Sequence, residues 1–328
     1  MLDIVFHGGN AATYLDDFQA ALQCDARIRV LSEKLDDDGA IQAFQQADVI
    51  VGNRLDAGMP APRRARLYQV CAAGYDRIDM DVLAPQASVC NCHGHEAAIA
   101  EYVMAAMLGR RIPLAHAHEG LGRGDWRYRS GEPDALHGEI GGATLGLLGY
   151  GHIGQAIGRL AKAFGMRVLA ANRSQVPVSP EVDAWFGLDA LQAFYREADF
   201  VVVSLPLMPA TQGLVDGAAF AHMRPHAVLI NVGRGPVVDE QALYDALAQR
   251  RIGGAVIDTW YQYPVRAGDT AAPSRLPFAQ LDNVLMTPHM SAWTDGTIRR
   301  RAALMAANVD ALADGRPLAS VVRAAVSR

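Results

Sequence analysis

Residues 143–154 have the sequence ATLGLLGYGHIG, an apolar segment that ends in a glycine-rich turn. A G-x-G-x-x-G turn that follows a strand and opens a helix is typical of dinucleotide-binding folds. We expect Gly149 to form the tight turn, Gly151 to let the backbone approach a pyrophosphate at the helix N-terminus, and Gly154 to allow helix and strand to pack closely. The predicted cofactor-binding residues of this turn are Gly149, Tyr150, Gly151, His152, Ile153 and Gly154.

The residues after the turn complete a βαβ unit. Apolar residues recur at helical spacing from Ile153 to Phe164, Gly165 is positioned to end that helix, and residues 166–171 predict a second strand. This context favours a cofactor site over a glycine turn with a purely structural role.

Residues 172–174, at the end of the second strand, occupy the position that usually distinguishes NAD from NADP. An aspartate there accepts hydrogen bonds from the ribose hydroxyls and repels a 2′-phosphate. This chain has Asn172, Arg173 and Ser174, which offer donors and a positive charge. They favour NADP(H), although NAD(H) stays possible if Arg173 is only a solvated surface charge.

Four further apolar runs, at residues 200–205, 228–231, 255–258 and 284–287, suit strands buried on both faces of a parallel sheet. The carboxyl ends of such strands share one edge, where ligands bind in open α/β sheets. We therefore expect Arg234, Asp258 and His289 to converge near the nicotinamide. The further cofactor-binding residues predicted at this edge are Leu205, Pro206, Val232 and Asp258.

Two of these residues offer the chemistry that reduction of a keto acid requires, which is a cation near the substrate oxygens and a proton donor for the new hydroxyl. Arg234, between two glycines, can clamp a carboxylate with its donor fork, and His289 is an acid/base group. The alternatives are an ion pair at a strand end for Arg234 and a buried, hydrogen-bonded histidine for His289.

Residues 1 to about 95 alternate short apolar segments with helical ones, which predicts a small α/β layer of its own. A glycine turn near Gly74 lies between its last strands, and its backbone N–H groups are suited to hold a carboxylate. The alternative is an ordinary βα loop with Asp79 near a helix N-cap. The predicted substrate-binding residues are Ala73, Gly74, Tyr75 and His95.

The chain has 328 residues, with 30 basic and 35 acidic side chains and a net charge of −5. This balance gives no basic field for nucleic acid or an anionic membrane, and no apolar run is long enough to span a bilayer. The run Arg299-Arg300-Arg301 falls in a predicted helix and is expected to form a solvated or salt-bridging face.

The four cysteines, at positions 24, 71, 90 and 92, lack the spacing of a zinc site, and the ten histidines show no metal-ligand motif. We therefore expect no metal. The first residues lack a basic leader, so no signal peptide is predicted, and the cysteine pattern favours reduced thiols in the cytoplasm.

Taken together, these segments resemble the D-isomer-specific 2-hydroxyacid dehydrogenase family over nearly the full length. The resemblance implies an α/β fold with a doubly wound Rossmann domain (residues 99–291) inserted into a flavodoxin-like substrate domain (1–98 with 292–328), and usually a homodimer. It assigns the family's arginine to Arg234, its acid/base histidine to His289 and its strand-end aspartate to Asp258. The matching segments are residues 74–76 with 78–79, 149–154, 223–225, 231–239, 258, and 282–284 through 287–289.

The chain departs from the family at the glutamate that usually partners the histidine, where Tyr263 stands instead. A neutral phenol can hydrogen-bond an imidazole but cannot stabilise its protonated form as a carboxylate does. We therefore expect a lower pKa for His289, unless Glu96 or Asp295 substitutes for the glutamate.

The resemblance implies a reductase that converts a small 2-keto acid, such as glyoxylate or hydroxypyruvate, to a D-2-hydroxy acid, and residues 172–174 favour NADP for it. A formate-dehydrogenase-like hydride transfer is one alternative, since it needs no tuned histidine. A nucleotide-sensing co-repressor is another, although retention of Arg234 and His289 argues against it. The candidates for the substrate pocket, each of which could instead serve packing or dimer contacts, are Tyr75, His95, Trp260, Tyr261 and Trp293.

Overall fold

A computed structural model describes residues 1–264 and 268–326. The chain divides into two compact units. The first combines Met1–His95 with Trp293–Arg328, and the second is Glu96–Ala292. Each unit has a β-sheet of its own.

The strands in chain order are β1 (Leu2–His7), β2 (Ala26–Leu31), β3 (Val49–Gly52), β4 (Leu67–Val70), β5 (Ser88–Cys90), β6 (Thr144–Leu148), β7 (Arg167–Ala171), β8 (Ala184–Phe186), β9 (Phe200–Val203), β10 (Val228–Asn231), β11 (Gly254–Ile257), β12 (Val284–Met286) and β13 (Val321–Arg323). The α-helices are α1 (Gly9–Ala12), α2 (Leu15–Ala21), α3 (Asp38–Gln46), α4 (Glu96–Arg111), α5 (Leu114–Gly122), α6 (His152–Ala163), α7 (Leu191–Glu197), α8 (Gly217–His222), α9 (Glu240–Ala248) and α10 (Asp295–Ala313).

The sheet of the first unit has the strand order β13-β5-β4-β3-β1-β2. Strands β1 to β5 pair in parallel, and β13 runs antiparallel to β5. The order of the parallel strands is that of flavodoxin, which confirms the expected fold. Helices α2 and α10 cover one face in a core that includes Phe6 and Phe18, whereas α3 covers the other face through Phe44.

The sheet of the second unit has the order β12-β11-β10-β9-β6-β7-β8, and all its neighbouring strands are parallel. This is the predicted Rossmann arrangement, with the strand order reversing between β6 and β9. Helices α4 and α6 cover one face and α7, α8 and α9 the other. Because ligands bind where the strand order reverses, the glycine turn after β6 lies at the expected place.

Strand β12 does not meet the expectation of burial on both faces. It lies at the edge of its sheet, and Leu285 is 48% exposed. An edge strand has a neighbour on one side only, so an apolar run alone does not ensure burial.

Helix α10 also differs from its prediction. Arg299 and Arg300 are exposed, as expected for a solvated face, but Arg301 is buried with 7% of its surface accessible. The three adjacent arginines point in different directions because successive residues of a helix are about 100° apart. Among the described residues, no helix combines the length and apolarity that crossing a membrane requires.

Candidate active site

The glycine turn has the geometry that a pyrophosphate-binding turn requires. Gly149 adopts a φ of +101°, which favours glycine, and its N–H donates to Ala171 O at 2.9 Å. A Cβ added to Gly154 would lie 2.4 Å from Gly149 O, so helix and strand pack too closely for any larger residue. At Gly151 a Cβ would meet no described atom within 4 Å, and no side chain caps α6. The turn therefore leaves room and N–H donors for a phosphate group.

The end of β7 carries no carboxylate. Asn172 accepts a hydrogen bond from Tyr150 N at 3.5 Å and donates one to Ser174 O at 3.0 Å, which fixes this corner beside the glycine turn. Arg173 is exposed and forms no ion pair or hydrogen bond within the described chain. Its guanidinium is available to an anionic ligand at this position.

The remaining predicted cofactor residues follow β9 and β10 at the same edge. Leu205 and Pro206 lie in the loop after β9, and the Thr211 hydroxyl holds this loop by donating to Pro206 O at 2.6 Å. Val232 is buried and donates its N–H to Val203 O at 3.1 Å. A Cβ on Gly233 would lie 2.6 Å from Leu205 O, so the two loops are in direct backbone contact.

Arg234 is positioned by the backbone around it. Asn231, at the end of β10, accepts a hydrogen bond from Gly233 N at 3.1 Å and donates one to Arg234 O at 3.2 Å. The Arg234 Nη1 donates to Gly233 O at 2.9 Å. Gly235 packs against the backbone of Trp260, where a Cβ would lie 2.2 Å from the carbonyl oxygen. The arginine is thus held next to the loop that follows β11.

Asp258 follows β11, is fully buried, and holds the loop that contains His289. One carboxylate oxygen accepts from Thr287 Oγ1 at 2.6 Å and Met290 N at 2.8 Å, and the other accepts from Ser291 N at 3.0 Å. His289 itself has a φ of +58°, an unfavourable conformation for a residue with a Cβ. The carboxylate therefore stabilises a strained turn on both sides of the histidine.

Tyr263 is the hydrogen-bond partner of His289. Its Oη lies 2.9 Å from His289 Nδ1 and accepts a hydrogen bond from Trp260 N at 3.0 Å. No described residue bonds the His289 Nε2 atom. The histidine is anchored through one ring nitrogen and can offer the other to a reactant.

The surroundings favour the neutral imidazole. Desolvation by neighbouring protein groups lowers the pKa of His289, the Asp258 charge opposes this effect, and the Arg234 charge adds to it. Desolvation likewise raises the pKa of Tyr263, so the phenol stays protonated. The lowering expected from the missing glutamate stays a prediction, because the first cause of the lowered pKa here is desolvation.

The observed partner of His289 Nδ1 is a phenol and not a carboxylate. Asp295, one of the two carboxylates suggested as a substitute for the glutamate, pairs with Arg299 at 2.9 Å. The suggestion that Glu96 or Asp295 replaces the family's glutamate stays a prediction. The carboxylate whose charge reaches the imidazole is that of Asp258.

Tyr102 and Thr287 also belong to this network, and the sequence analysis assigned a role to neither side chain. The Tyr102 hydroxyl lies 2.7 Å from Thr287 Oγ1, and because Thr287 donates to Asp258, Tyr102 is the donor to Thr287. Trp260 Nε1 also donates to Thr287 O at 2.8 Å. The threonine directly before Pro288 and His289 was the available sequence signal, whereas nothing distinguishes Tyr102 from other residues of α4.

In the first unit, the loop after β4 is held by its carbonyl groups. Cys92 N donates to Ala72 O at 3.0 Å, and Asn91 Nδ2 donates to Ala73 O at 2.7 Å. The backbone N–H groups of residues 73–75 donate to no described acceptor. Asp79 caps a short 3-10 turn at residues 80–82 by accepting a hydrogen bond from Asp81 N. The sequence analysis had placed Asp79 near a helix N-cap as the alternative interpretation of this loop.

The other aromatic candidates have different surroundings. His95 is buried and its ring stacks with that of His93, whereas Tyr75 is 44% exposed. Tyr261 donates its hydroxyl to Val238 O at 3.1 Å, and Trp260 is buried in the second unit. Trp293 is 47% exposed and lies edge-on to Tyr14.

Comparison with known proteins shows the family. Residues 103–291 match the family model for the D-isomer specific 2-hydroxyacid dehydrogenase NAD binding domain. The hydroxypyruvate reductase of Thermotoga maritima is 30% identical, with 83% of this chain and 87% of that protein covered. The glyoxylate reductase of Thermococcus onnurineus is 32% identical, with 87% and 83% covered.

A solved structure gives the same result. The D-isomer specific 2-hydroxyacid dehydrogenase of Xanthobacter autotrophicus, in complex with NADPH and MES, is 25% identical with a TM-score of 0.79 and 98% of each chain covered. The chain therefore belongs to the D-isomer specific 2-hydroxyacid dehydrogenase family and is an NAD(P)-dependent oxidoreductase of 2-keto and 2-hydroxy acids.

Proposed function

We propose that this enzyme reduces a small 2-keto acid to a D-2-hydroxy acid and prefers NADPH. Glyoxylate and hydroxypyruvate are the first substrates to consider, because they are the substrates named for the similar reductases. The observation that carries the proposal is the Tyr263–His289 hydrogen bond, which leaves Nε2 available on an imidazole that the charge of Arg234 acts on.

We assign Arg234 to the substrate oxygens. A guanidinium provides fixed donors for a carboxylate and stabilises the negative charge that develops on a carbonyl oxygen during reduction. Asn231 and the backbone contact of Gly235 hold the arginine's backbone, so little reorganisation is needed when substrate binds. A reduced nicotinamide, when bound, supplies the hydride.

We assign His289 as the proton donor and Tyr263 as the residue that sets its orientation. The phenol oxygen accepts from Trp260 N–H, which leaves one O–H donor and one lone pair. The phenol donates to Nδ1 when the imidazole is the neutral Nε2–H tautomer, and accepts from Nδ1–H when the imidazole is protonated. Nε2 carries a proton in both cases, and the cation becomes the Nδ1–H tautomer after Nε2 delivers its proton to the new hydroxyl.

We assign the substrate carboxylate to the N–H groups of Ala73, Gly74 and Tyr75. These groups have no acceptor among the described residues. The carbonyl groups of residues 72 and 73 accept hydrogen bonds from Cys92 N and Asn91 Nδ2, which fix the loop. A carboxylate that accepts several backbone N–H groups is strongly stabilised. His95 stays a predicted member of the same substrate-binding set.

The cofactor preference rests on the end of β7. The turn residues 149–154 would hold the pyrophosphate, and Arg173, which is exposed and has no described partner, would bind a 2′-phosphate. The similar dehydrogenase from Xanthobacter autotrophicus was solved with NADPH. Leu205, Pro206, Val232 and Asp258 would complete the cofactor site.

We also propose a homodimer in the cytoplasm. Large apolar side chains are exposed along residues 114–136, including Trp126 at 64% and Leu136 at 86%, and exposed apolar patches mark interaction surfaces. The described cysteines are all free, as in a reducing compartment. Light scattering after gel filtration tests the dimer.

The function is tested by assaying a panel of 2-keto acids with NADPH and with NADH, and by assaying formate with the oxidised cofactors. We expect saturable consumption of NADPH with glyoxylate or hydroxypyruvate and formation of the D-isomer. Turnover of formate alone would favour the formate-dehydrogenase alternative. Cofactor binding without turnover of any substrate would favour a sensor.

A further inference from the structure

Arg301 is a buried cation in the first unit, with 7% of its surface exposed. No carboxylate of the described residues pairs with it, and its Nε has no hydrogen-bond partner among them. Nη1 donates to Cys71 O at 3.3 Å and lies 3.5 Å from Tyr14 Oη. Burial of a charge without a counter-charge destabilises a fold, so stability does not explain an arginine at this position.

The atom that Arg301 holds begins the loop with the free N–H groups. Cys71 follows β4 directly, and the next two carbonyl groups are held by Cys92 N and Asn91 Nδ2. With Arg301 included, three successive carbonyl groups are fixed by three separate donors. The loop is thus held through its acceptors while the N–H groups of residues 73–75 stay available for a ligand.

The preceding residue makes an equivalent contact with a second segment. Arg300 Nε donates to Gly94 O at 2.7 Å, and Gly94 has a φ of +94°. Gly94 directly precedes His95, the other residue predicted to bind substrate. Adjacent arginines of α10 therefore hold backbone carbonyl groups in both predicted substrate-binding segments.

We propose that Arg301 is a positioning residue, which fixes loop 71–75 in the conformation that binds a substrate carboxylate, and that Arg300 does the same for residues 93–95. The proposal rests on the proposed role of this loop in substrate binding. Arg301 acts through the Cys71 carbonyl and does not touch the substrate. Burial of the charge destabilises the fold, but a loop already in its binding conformation loses less conformational entropy when the substrate binds.

The kinetic test uses Arg301→Met, which keeps the aliphatic packing but removes the donors. A loop that binds the carboxylate equally in ground and transition states predicts a KM for glyoxylate about tenfold higher and an unchanged kcat. The NADPH Kd is expected to stay unchanged, and Tm to be equal or higher because an unpaired buried charge is removed. Arg301→Lys restores a donor and is expected to recover part of the KM.

The matched control is Arg299→Met, an exposed arginine of the same helix that pairs with Asp295. It is expected to leave KM unchanged. An Arg301→Met enzyme with an unchanged KM and a lower Tm would show a purely structural role and overturn the proposal.

Amide hydrogen exchange tests the loop without turnover. Arg301→Met is expected to speed exchange in residues 71–75, and Arg300→Met in residues 93–95, whereas Arg299→Met changes neither. Unchanged exchange in residues 71–75 of Arg301→Met would contradict the proposal. If the wild-type enzyme reduces no 2-keto acid, the proposed function fails, but the exchange result still decides whether Arg301 holds the loop.

Discussion

The Tyr263 hydroxyl lies 2.9 Å from Nδ1 of His289, where the family usually provides a carboxylate. The imidazole thus has an oriented but uncharged partner. The charges that act on it are Asp258, which raises its pKa, and Arg234, which lowers it. The relationship separates two roles that a glutamate combines, namely orientation of the ring and stabilisation of its protonated form.

Removal of the Tyr263 hydroxyl tests its role in orientation. Tyr263→Phe keeps the ring but leaves Nδ1 and Trp260 N without their partner, so we expect kcat to fall about tenfold, as for the loss of one hydrogen bond. Cofactor affinity, measured by fluorescence titration with NADPH, is expected to be unchanged. Tyr244→Phe, on α9, is the control. A kcat equal to that of the wild type would exclude an orienting role for the hydroxyl.

Asp258→Asn tests the carboxylate that holds the histidine turn. An amide nitrogen would face an N–H or O–H donor, so we expect the free energy of unfolding to fall by about 1–3 kcal/mol. Loss of the charge that raises the His289 pKa is also expected to move the pH profile of kcat/KM to lower pH.

The control for Asp258→Asn is Asp282→Asn, because Asp282 is an exposed aspartate paired with Arg250. Asp282→Asn is expected to change neither the free energy of unfolding, measured with urea, nor the pH profile of kcat/KM. An Asp258→Asn enzyme with wild-type stability would show that the hydrogen bonds from Thr287, Met290 and Ser291 do not require the charge of the carboxylate.

Arg173→Ala tests the cofactor preference. If the guanidinium binds a 2′-phosphate, the KM for NADPH is expected to rise about tenfold while the KM for NADH changes little. Arg167→Ala is the control, because Arg167 lies at the opposite end of β7 and pairs with Glu197. Equal effects of Arg173→Ala on both cofactors would contradict the assignment.

The glycines of the turn can be separated by substitution with alanine. Gly154→Ala places a methyl group 2.4 Å from Gly149 O, so the free energy of unfolding is expected to fall by about 1–3 kcal/mol. Gly151→Ala meets no described atom within 4 Å and is expected to leave stability unchanged but to weaken NADPH binding about tenfold. Titration calorimetry and thermal unfolding measure the two effects. Undiminished NADPH binding by Gly151→Ala would place the pyrophosphate elsewhere.

The sequence predicted those features that depend on short-range patterns. The glycine spacing after an apolar run specified the βαβ unit, and the runs at 200–205 and 228–231 correspond to β9 and β10. Because parallel strands share one edge, the residues that follow them could be placed together without a structure.

The remaining features depend on contacts between distant segments. Sequence analysis predicted a solvated run at 299–301, but the rotation of α10 directs Arg301 into the core against Cys71. Tyr102 joins the Asp258 network across 185 residues of sequence, a contact that no local pattern predicts. The exposure of β12 likewise depends on its position at the sheet edge.

The central claim is that His289 donates the proton while oriented by a neutral tyrosine. It is tested most directly by the pH profile of kcat/KM for 2-keto acid reduction, compared between the wild type and Tyr263→Glu. Because the protonated imidazole is the active form and its surroundings lower its pKa, wild-type kcat/KM is expected to fall as pH rises through an inflection below the ordinary histidine value of 6.5. Tyr263→Glu is expected to move the inflection upward by about one pH unit or more, whereas identical profiles would contradict the account.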